Sequence, residues 1–110
     1  MYLFTDQIFV KDKVMNVTGW ASSEDGTHEA SFRVFAGEKE VPFTLIRGSR
    51  PDVGYMMFRK ADFPDAGFFL QIPLEGNKTV RIQAFLEEQG QITEEASRIL
   101  DERTVKLLLW

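Results

Sequence analysis

The chain has 110 residues, of which 44% are hydrophobic, a formal net charge of −4 and no cysteine. One domain of this length buries enough surface to fold without a disulfide or a bound metal. The absence of thiols excludes cysteine catalysis, cysteine-ligated zinc and disulfide scaffolds. The acidic balance argues against nucleic acid as a partner, because broad binding to polyanions needs a basic surplus. Residues 1–6 lack the basic start and long apolar run typical of a signal peptide, and no apolar run approaches the ~20 residues that span a bilayer. We expect a cytoplasmic protein without direct membrane insertion.

The first half of the chain has the patterning of short strands. Apolar pieces at residues 2–4 and 8–10 are followed by a predicted turn at residues 11–13. Residues 14–21 are rich in β-branched side chains and predict a strand, after which residues 22–27 form a loop by their turn chemistry.

The clearest predicted hairpin comes next. Residues 30–36 alternate with period two, and Gly37-Glu38 reverses the chain into a second run at residues 39–46. Pro42 interrupts that run and demotes it to an edge strand or a bulge, because proline donates no ladder hydrogen bond.

The alternation stops after residue 46. Pro51 suits the first position of a helix and Asp52 suits the N–H groups exposed there, so residues 51–58 predict a short helical crossover between two sheets. A turn at residues 63–67 then leads into a strictly alternating strand that carries Phe68, Leu70, Ile72 and Leu74. Residues 80–86 supply a matching inward face, and Gly76-Asn77 predicts a second hairpin between these strands.

The C-terminal region is less regular. Residues 93–100 have helical spacing and are interpreted as a short helix or an irregular connection, whereas residues 105–109 alternate and predict a last strand. Seven or eight short strands predict an all-β fold, an antiparallel two-sheet sandwich of Ig-like or jelly-roll-like topology. We expect residues 1–110 to form a single domain of a longer polypeptide, because the sequence ends on Leu-Leu-Leu-Trp without a polar tail.

Residue types that carry chemistry are sparse. His28 is the one histidine and lies in a Ser/Asp/Gly loop without a nucleophile pattern. A small hydrolase that uses His28 is the third alternative function. The loop carboxylates at residues 24–25, 62 and 65 lack the spacing of a calcium loop. We predict no catalytic residue, no metal ligand and no cofactor.

Cations gather around the predicted helix. Arg47 and Arg50 have two interpretations, contact with an anionic partner or internal pairing. The internal interpretation, which we favour, pairs Arg50 with Asp52 or with the carbonyl groups of a neighbouring strand.

Outward-facing aromatic residues are the remaining candidates. Phe35, Phe69 and Phe85 fall on the outward phase of their strands, where an aromatic row contacts a partner, stacks on sugar rings or is covered by another part of the fold. Trp20 is expected in the core, close to Gly19. The full set of ligand or interface candidates is Trp20, Phe35, Arg47, Arg50, Tyr55, Phe69 and Phe85.

Three short motifs follow one another along the chain. They are Gly19-Trp20-Ala21, Arg50-Pro51-Asp52-Val53, and Gly67-Phe68 with Ile72-Pro73-Leu74. In this order they resemble β-sandwich accessory domains that lie beside family 2 type catalytic domains in bacterial glycosyltransferases, enzymes that build cell-surface or cell-wall polysaccharide. The likeness covers residues 14–85.

The resemblance implies a non-catalytic module. Its partners would be the catalytic glycosyltransferase domain in the same polypeptide, a second subunit or a glycan, and any membrane association would come from the parent protein. The catalytic part of that family carries an Asp-x-Asp metal motif, which this sequence lacks, so donor-sugar chemistry is not implied. The alternative function is a carbohydrate-binding module, with Trp20, Tyr55, Phe69 and Phe85 as stacking groups and Arg47 or Arg50 as the polar anchor.

Overall fold

A computed structural model describes residues 1–101, which form two four-stranded antiparallel sheets and one short helical segment. Sheet I has the strand order β1-β2-β6-β5, and sheet II has the order β4-β3-β7-β8. The predicted all-β sandwich is thereby confirmed, whereas the strand predicted at residues 105–109 lies outside the described residues. The strands are β1 (Tyr2–Lys11), β2 (Val14–Ser22), β3 (Ser31–Ala36), β4 (Lys39–Val41), β5 (Thr44–Gly48), β6 (Gly67–Pro73), β7 (Thr79–Glu88) and β8 (Gln91–Asp101).

This strand order decides between the two predicted topologies. In an immunoglobulin-type Greek key, strands A, B, E and D face strands C, F and G, with an added C′ strand beside C. Taken in chain order, β1, β2, β6 and β5 occupy the A, B, E and D positions, and β4, β3, β7 and β8 occupy C′, C, F and G. The sandwich is therefore Ig-like rather than a jelly roll.

Two tight hairpins set the register of the outer strand pairs. Asp12 and Lys13 join β1 to β2, and Gln89 and Gly90 join β7 to β8, all four with positive φ. Two-residue turns of this kind match the right-handed twist of the strands that they connect. The turn predicted at residues 11–13 is confirmed.

The inward faces of both sheets agree with the alternation in the sequence. The four apolar residues of the strand predicted to begin at Phe68 are buried, and so are Val80, Ile82 and Ala84 on β7. Phe32 and Phe68 meet across the sandwich with ring centroids 4.9 Å apart. Full burial of each aliphatic core residue stabilises the fold by about 1.5–3 kcal/mol, so this layer holds the two sheets together.

The predicted partner of β6 is wrong. We expected β6 and β7 to pair as a hairpin, but β6 pairs with β2 and β5 in sheet I, and β7 pairs with β3 and β8 in sheet II. The chain therefore crosses the sandwich through the turn at Glu75 and Gly76, both with positive φ.

Pro42 marks another crossing. The run predicted as one strand over residues 39–46 is two strands, β4 in sheet II and β5 in sheet I. Since proline cannot donate to a ladder, the chain leaves sheet II at this residue and begins a new pairing at Thr44.

The predicted helical turn is present but does not cross between sheets. It consists of α1 (Pro51–Val53) and a π-helical turn (Gly54–Phe58), which are together called segment 51–58 below. The strands on either side, β5 and β6, are neighbours in sheet I. Among residues 1–101, no helix has the length and apolar character needed to cross a bilayer.

The helix or irregular connection expected near the C-terminus is wrong as well. β8 is an eleven-residue strand that pairs with β7 along its length. Ala96 and Leu100 face the core, whereas Ile92 and Ile99 are exposed. The helical spacing thus arose from residues on two different faces of one strand.

Candidate functional site

Segment 51–58 lies against the outer face of sheet I through an aromatic cluster, which we define as Tyr2, Phe4, Trp20, Phe58 and Phe63. Trp20 stacks on Phe4, its partner across β1 and β2, with ring centroids 5.0 Å apart. Phe58 and Phe63 each meet Trp20 edge-on at 6.4 Å. Trp20 is buried, as predicted, but its burial comes from the segment on the outer face and not from the layer between the sheets.

Two glycines let the segment approach this closely. A Cβ atom on Gly26 would lie 2.6 Å from the Phe58 ring, and one on Gly54 would lie 2.5 Å from Cβ of Phe63. The Lys60 ammonium group also donates to the Asp25 carbonyl oxygen at 2.9 Å. Segment 51–58 is therefore held by the aromatic cluster on sheet I and by contacts with the loop that carries Gly26 and Asp25.

Segment 51–58 exposes three consecutive apolar residues to solvent, Tyr55, Met56 and Met57, which we call the 55–57 patch. The exposed fraction is 61% for Tyr55, 84% for Met56 and 48% for Met57. Sequence analysis selected Tyr55 and missed the two methionines. Exposure of a methionine could have been predicted from the sequence, because three consecutive apolar residues in a one-turn helix cannot all face the same buried surface.

Arg50 immediately precedes segment 51–58 and is held by two carboxylates. It donates from Nε and Nη2 to both oxygens of Asp52 at 3.0 Å, and from Nη1 to Asp6 at 2.6 Å. The hydrogen bonds to Asp52 raise the pKa of Arg50 above its ordinary value, and the same contact lowers the pKa of Asp52. The predicted internal pairing of Arg50 is present, whereas Asp6 is a partner that sequence analysis missed.

The other candidate arginine also makes an internal contact. Arg47 Nη2 donates to the Ala30 carbonyl oxygen at 2.8 Å, which connects β5 of sheet I to the residue before β3 of sheet II. The internal interpretation assigned a contact with strand carbonyl groups to Arg50, and in the structure such a contact is made by Arg47.

The first two sequence motifs and Gly67-Phe68 of the third meet at this end of sheet I, whereas Ile72-Pro73-Leu74 lies at the other end of β6. Trp20 is the register partner of Gly67 between β2 and β6. A Cβ atom on Gly67 would lie 2.9 Å from Cγ of Arg50 and 2.8 Å from the Gly48 carbonyl oxygen. Trp20, Arg50 and Gly67 therefore build one structural unit, which supports segment 51–58 on the sheet.

Beside this unit lies a cleft of about 250 Å³, which we call the Gly48–Gly67 cleft. Gly48 and Gly67 are register partners at its floor. The Arg50 side chain covers Gly67, which is buried, whereas the space above Gly48 is open. Phe69 and Ile46, which pair in the next row, form one wall, and Arg50 forms the other. Asp6 and Thr18 also line the cleft.

The three outward aromatic residues do not form a row. Phe69 belongs to sheet I, whereas Phe35 and Phe85 lie on the outer face of sheet II. There Arg81 lies 4.5 Å from the centre of the Phe35 ring and Arg33 lies 5.1 Å from that of Phe85. Neighbouring arginines thus cover the sheet II aromatics.

The loop around His28 is occupied by contacts that fix its own shape. Ser23 and Thr27 each donate a hydroxyl hydrogen bond to Asp25 at 2.6 Å, which lowers the pKa of Asp25 to about 2. The Ser23 hydroxyl oxygen accepts from the backbone N–H groups of Thr27 and His28. Nδ1 of His28 lies 2.8 Å from Thr27 Oγ1. In residues 1–101, no group of three His, Cys, Asp or Glu side chains could hold a metal ion.

A comparison of the chain with protein-family models, with curated proteins and with solved structures gave no match.

Proposed function

We propose that this domain is a non-catalytic accessory module of a bacterial glycosyltransferase for cell-surface polysaccharide, and that it docks on the catalytic domain of the same polypeptide through the 55–57 patch. The observation that carries the proposal is the display of three adjacent apolar side chains on a fixed segment. Exposed contiguous apolar surface marks protein contact sites, and aromatic residues and methionine are enriched there. Rigid presentation lowers the entropy lost on docking.

The parent enzyme is proposed from the order of the three motifs, and the fold gives that order a physical meaning. Trp20, Arg50 and Gly67 build the support of the segment that carries the patch. One residue from each motif and the residues proposed to dock therefore belong to one unit of the fold.

The proposed location is the cytoplasmic side of the membrane, with any membrane association supplied by the parent protein. A sequence without cysteine forms no disulfide and so fits a reducing compartment, where a nucleotide-sugar enzyme would act.

Oxidative footprinting tests the docking. Met56 is 84% exposed, and an exposed thioether is readily oxidised to the sulfoxide. In the full-length parent, a brief pulse of hydroxyl radicals should modify Met56 and Met57 much less than in the 110-residue chain. Met15, which is fully buried, should stay unmodified in both samples, and Ile99 should react equally in both.

A matched pair of variants locates the contact. Met56→Glu in the parent should restore oxidation of Met57, because a charge in the patch opposes docking. Ile99→Glu places the same charge at another exposed apolar residue and should leave Met57 protected. Equal oxidation of Met56 in the parent and in the isolated chain contradicts the docking. A coding sequence that contains no nucleotide-sugar-binding catalytic domain contradicts the assignment to a glycosyltransferase.

A further inference from the structure

The Gly48–Gly67 cleft contains none of the three patch residues and can be considered separately from docking. Its volume of about 250 Å³ lies below the roughly 300–1,000 Å³ of sites for drug-sized ligands, so a single small ring fits its dimensions. The depression follows from Gly48 on β5, where a larger residue would fill the surface beside its register partner Gly67, which the Arg50 side chain covers.

One wall of the cleft is a fixed array of hydrogen-bonding groups. An arginine carries five N–H donors, and Arg50 uses one on Nε, one on Nη1 and one on Nη2 for its two carboxylate partners. One N–H on each terminal nitrogen is left for a ligand. Asp6, whose side chain is 46% exposed, keeps carboxylate lone pairs that can accept from a hydroxyl group.

The facing wall is apolar. Phe69 is half-buried, and its neighbour Ile46 is 62% exposed, one of the most exposed large apolar side chains among residues 1–101. The two side chains are register partners and form a continuous strip beside the glycine floor. A ligand with one apolar face and one polar edge would satisfy both walls.

We propose that the Gly48–Gly67 cleft binds one neutral sugar residue of a glycan. The C–H face of the ring would lie on Phe69 and Ile46, while adjacent hydroxyl groups accept from Arg50 and donate to Asp6. Charge favours a neutral ligand, because the arginines Arg47 and Arg50 are balanced by the carboxylates Asp6 and Asp52. An anion would face Asp6, and a cation would face Arg50.

The proposed sugar site is the cleft and not the aromatic surface that the sequence suggested. The sequence offered Trp20, Tyr55, Phe69 and Phe85 as a stacking surface, but Trp20 is buried and Phe85 lies on the opposite sheet. Tyr55 belongs to the 55–57 patch and does not line the cleft, so Phe69 remains for the sugar, with Arg50 as the polar anchor. Sugar binding at this cleft does not depend on the docking function.

An NMR titration tests the cleft. The ¹⁵N-labelled 110-residue chain is titrated into the millimolar range with the methyl glycosides of rhamnose, glucose and N-acetylglucosamine. We expect at least one glycoside to give saturable shifts at the backbone amides of Gly48, Gly67 and Phe69. Amides of the outer face of sheet II, such as that of Gln83, should not shift.

Two variants and a control define the site. Gly48→Leu should abolish the shifts, because a Cβ atom there meets no heavy atom within 4 Å and the added side chain occupies the cleft of a folded domain. Ser97→Leu adds the same side chain to the exposed face of sheet II and should bind as the wild type does. Arg50→Lys should weaken binding by about tenfold or more, since the paired donors are lost.

The outcomes separate this proposal from the docking proposal. Met56→Glu, which is expected to abolish docking, should keep the glycoside shifts. The sugar site is refuted if no glycoside gives saturable shifts or if Gly48→Leu binds as the wild type does. It is also refuted if sodium phosphate gives the same saturable shifts, which would indicate an anion site.

Discussion

The outer faces of the two sheets carry similar aromatic residues and cover them in different ways. On sheet II, Phe35 and Phe85 lie under Arg81 and Arg33, which come from the same sheet. On sheet I, Trp20 lies under a separate piece of chain, segment 51–58. A face covered by its own arginines keeps charged groups on the surface, whereas a face covered by a helical turn presents whatever the far side of that turn carries.

That difference places both proposed contact surfaces on sheet I. The covering segment adds the 55–57 patch above the sheet, and the point where it begins, at Arg50, forms a wall of the Gly48–Gly67 cleft. On sheet II, the register places Arg81 directly opposite Phe35, so the aromatic ring is covered without any added segment.

The largest change in the free energy of unfolding is expected when the indole ring that packs against segment 51–58 is removed. Trp20→Ala should lower the free energy of unfolding by about 3–5 kcal/mol, because it removes a buried ring that packs between the sheet and the segment. Phe35→Ala should cost about 1 kcal/mol, since that ring is half-buried and loses one arginine contact. Urea denaturation measures both values, and equal losses would show that the two faces do not differ in this way.

Two glycines of sheet I differ in the space that surrounds them. A Cβ atom on Gly19 would overlap the Phe4 carbonyl oxygen, whereas one on Gly48 meets nothing within 4 Å. Gly19→Ala should destabilise the domain by about 2–3 kcal/mol through overpacking. Gly48→Ala should stabilise it by about 0.5 kcal/mol, because the unfolded chain loses freedom. Similar unfolding midpoints for the two variants would contradict the tight packing of β1 on β2.

Much of the fold could be predicted from the sequence, because alternation tells which face of a strand is buried. It does not tell which strand lies alongside. The inward faces of β6 and β7 were predicted correctly, but a hairpin and a crossing between sheets place the same residues inward, and the turn at residues 75–76 fits both. Only the register of β6 with β2 and β5 distinguishes them.

The candidate site was less predictable for a related reason. The pairing of Arg50 with Asp52 could be predicted, because the two residues are close in sequence. Asp6 reaches Arg50 from 44 positions away, at an irregularity in β1 between Thr5 and Gln7. The cleft floor depends on Gly48 facing Gly67, and such a register between distant residues cannot be read from the composition of either strand.

Removing one charge from the sheet II face should have a smaller effect. Arg81→Met keeps a long apolar side chain over Phe35 and removes the cation, so it should cost about 0.5–1 kcal/mol. Lys39→Met removes a cation from a different exposed position and serves as the matched control. A loss no greater than that of the control would show that apolar contact alone covers Phe35.

The smallest expected effect concerns the loop that supports segment 51–58 from the side. Asp25 has a pKa of about 2 in the folded protein, below its ordinary value of 3.8, because Ser23 and Thr27 donate hydrogen bonds to its carboxylate. A lowered folded pKa stabilises the fold fully above the unfolded value, and this contribution is lost as the pH falls from about 4 to about 2. Asp25→Asn should therefore flatten the dependence of the urea midpoint on pH in that interval. Asp62→Asn makes the same charge change in another exposed loop and serves as the matched control. If Asp25→Asn keeps the wild-type slope, the loop does not derive its stability from the ionised carboxylate, and the lateral support of the segment rests on Gly26 and the contact of Lys60 with the backbone.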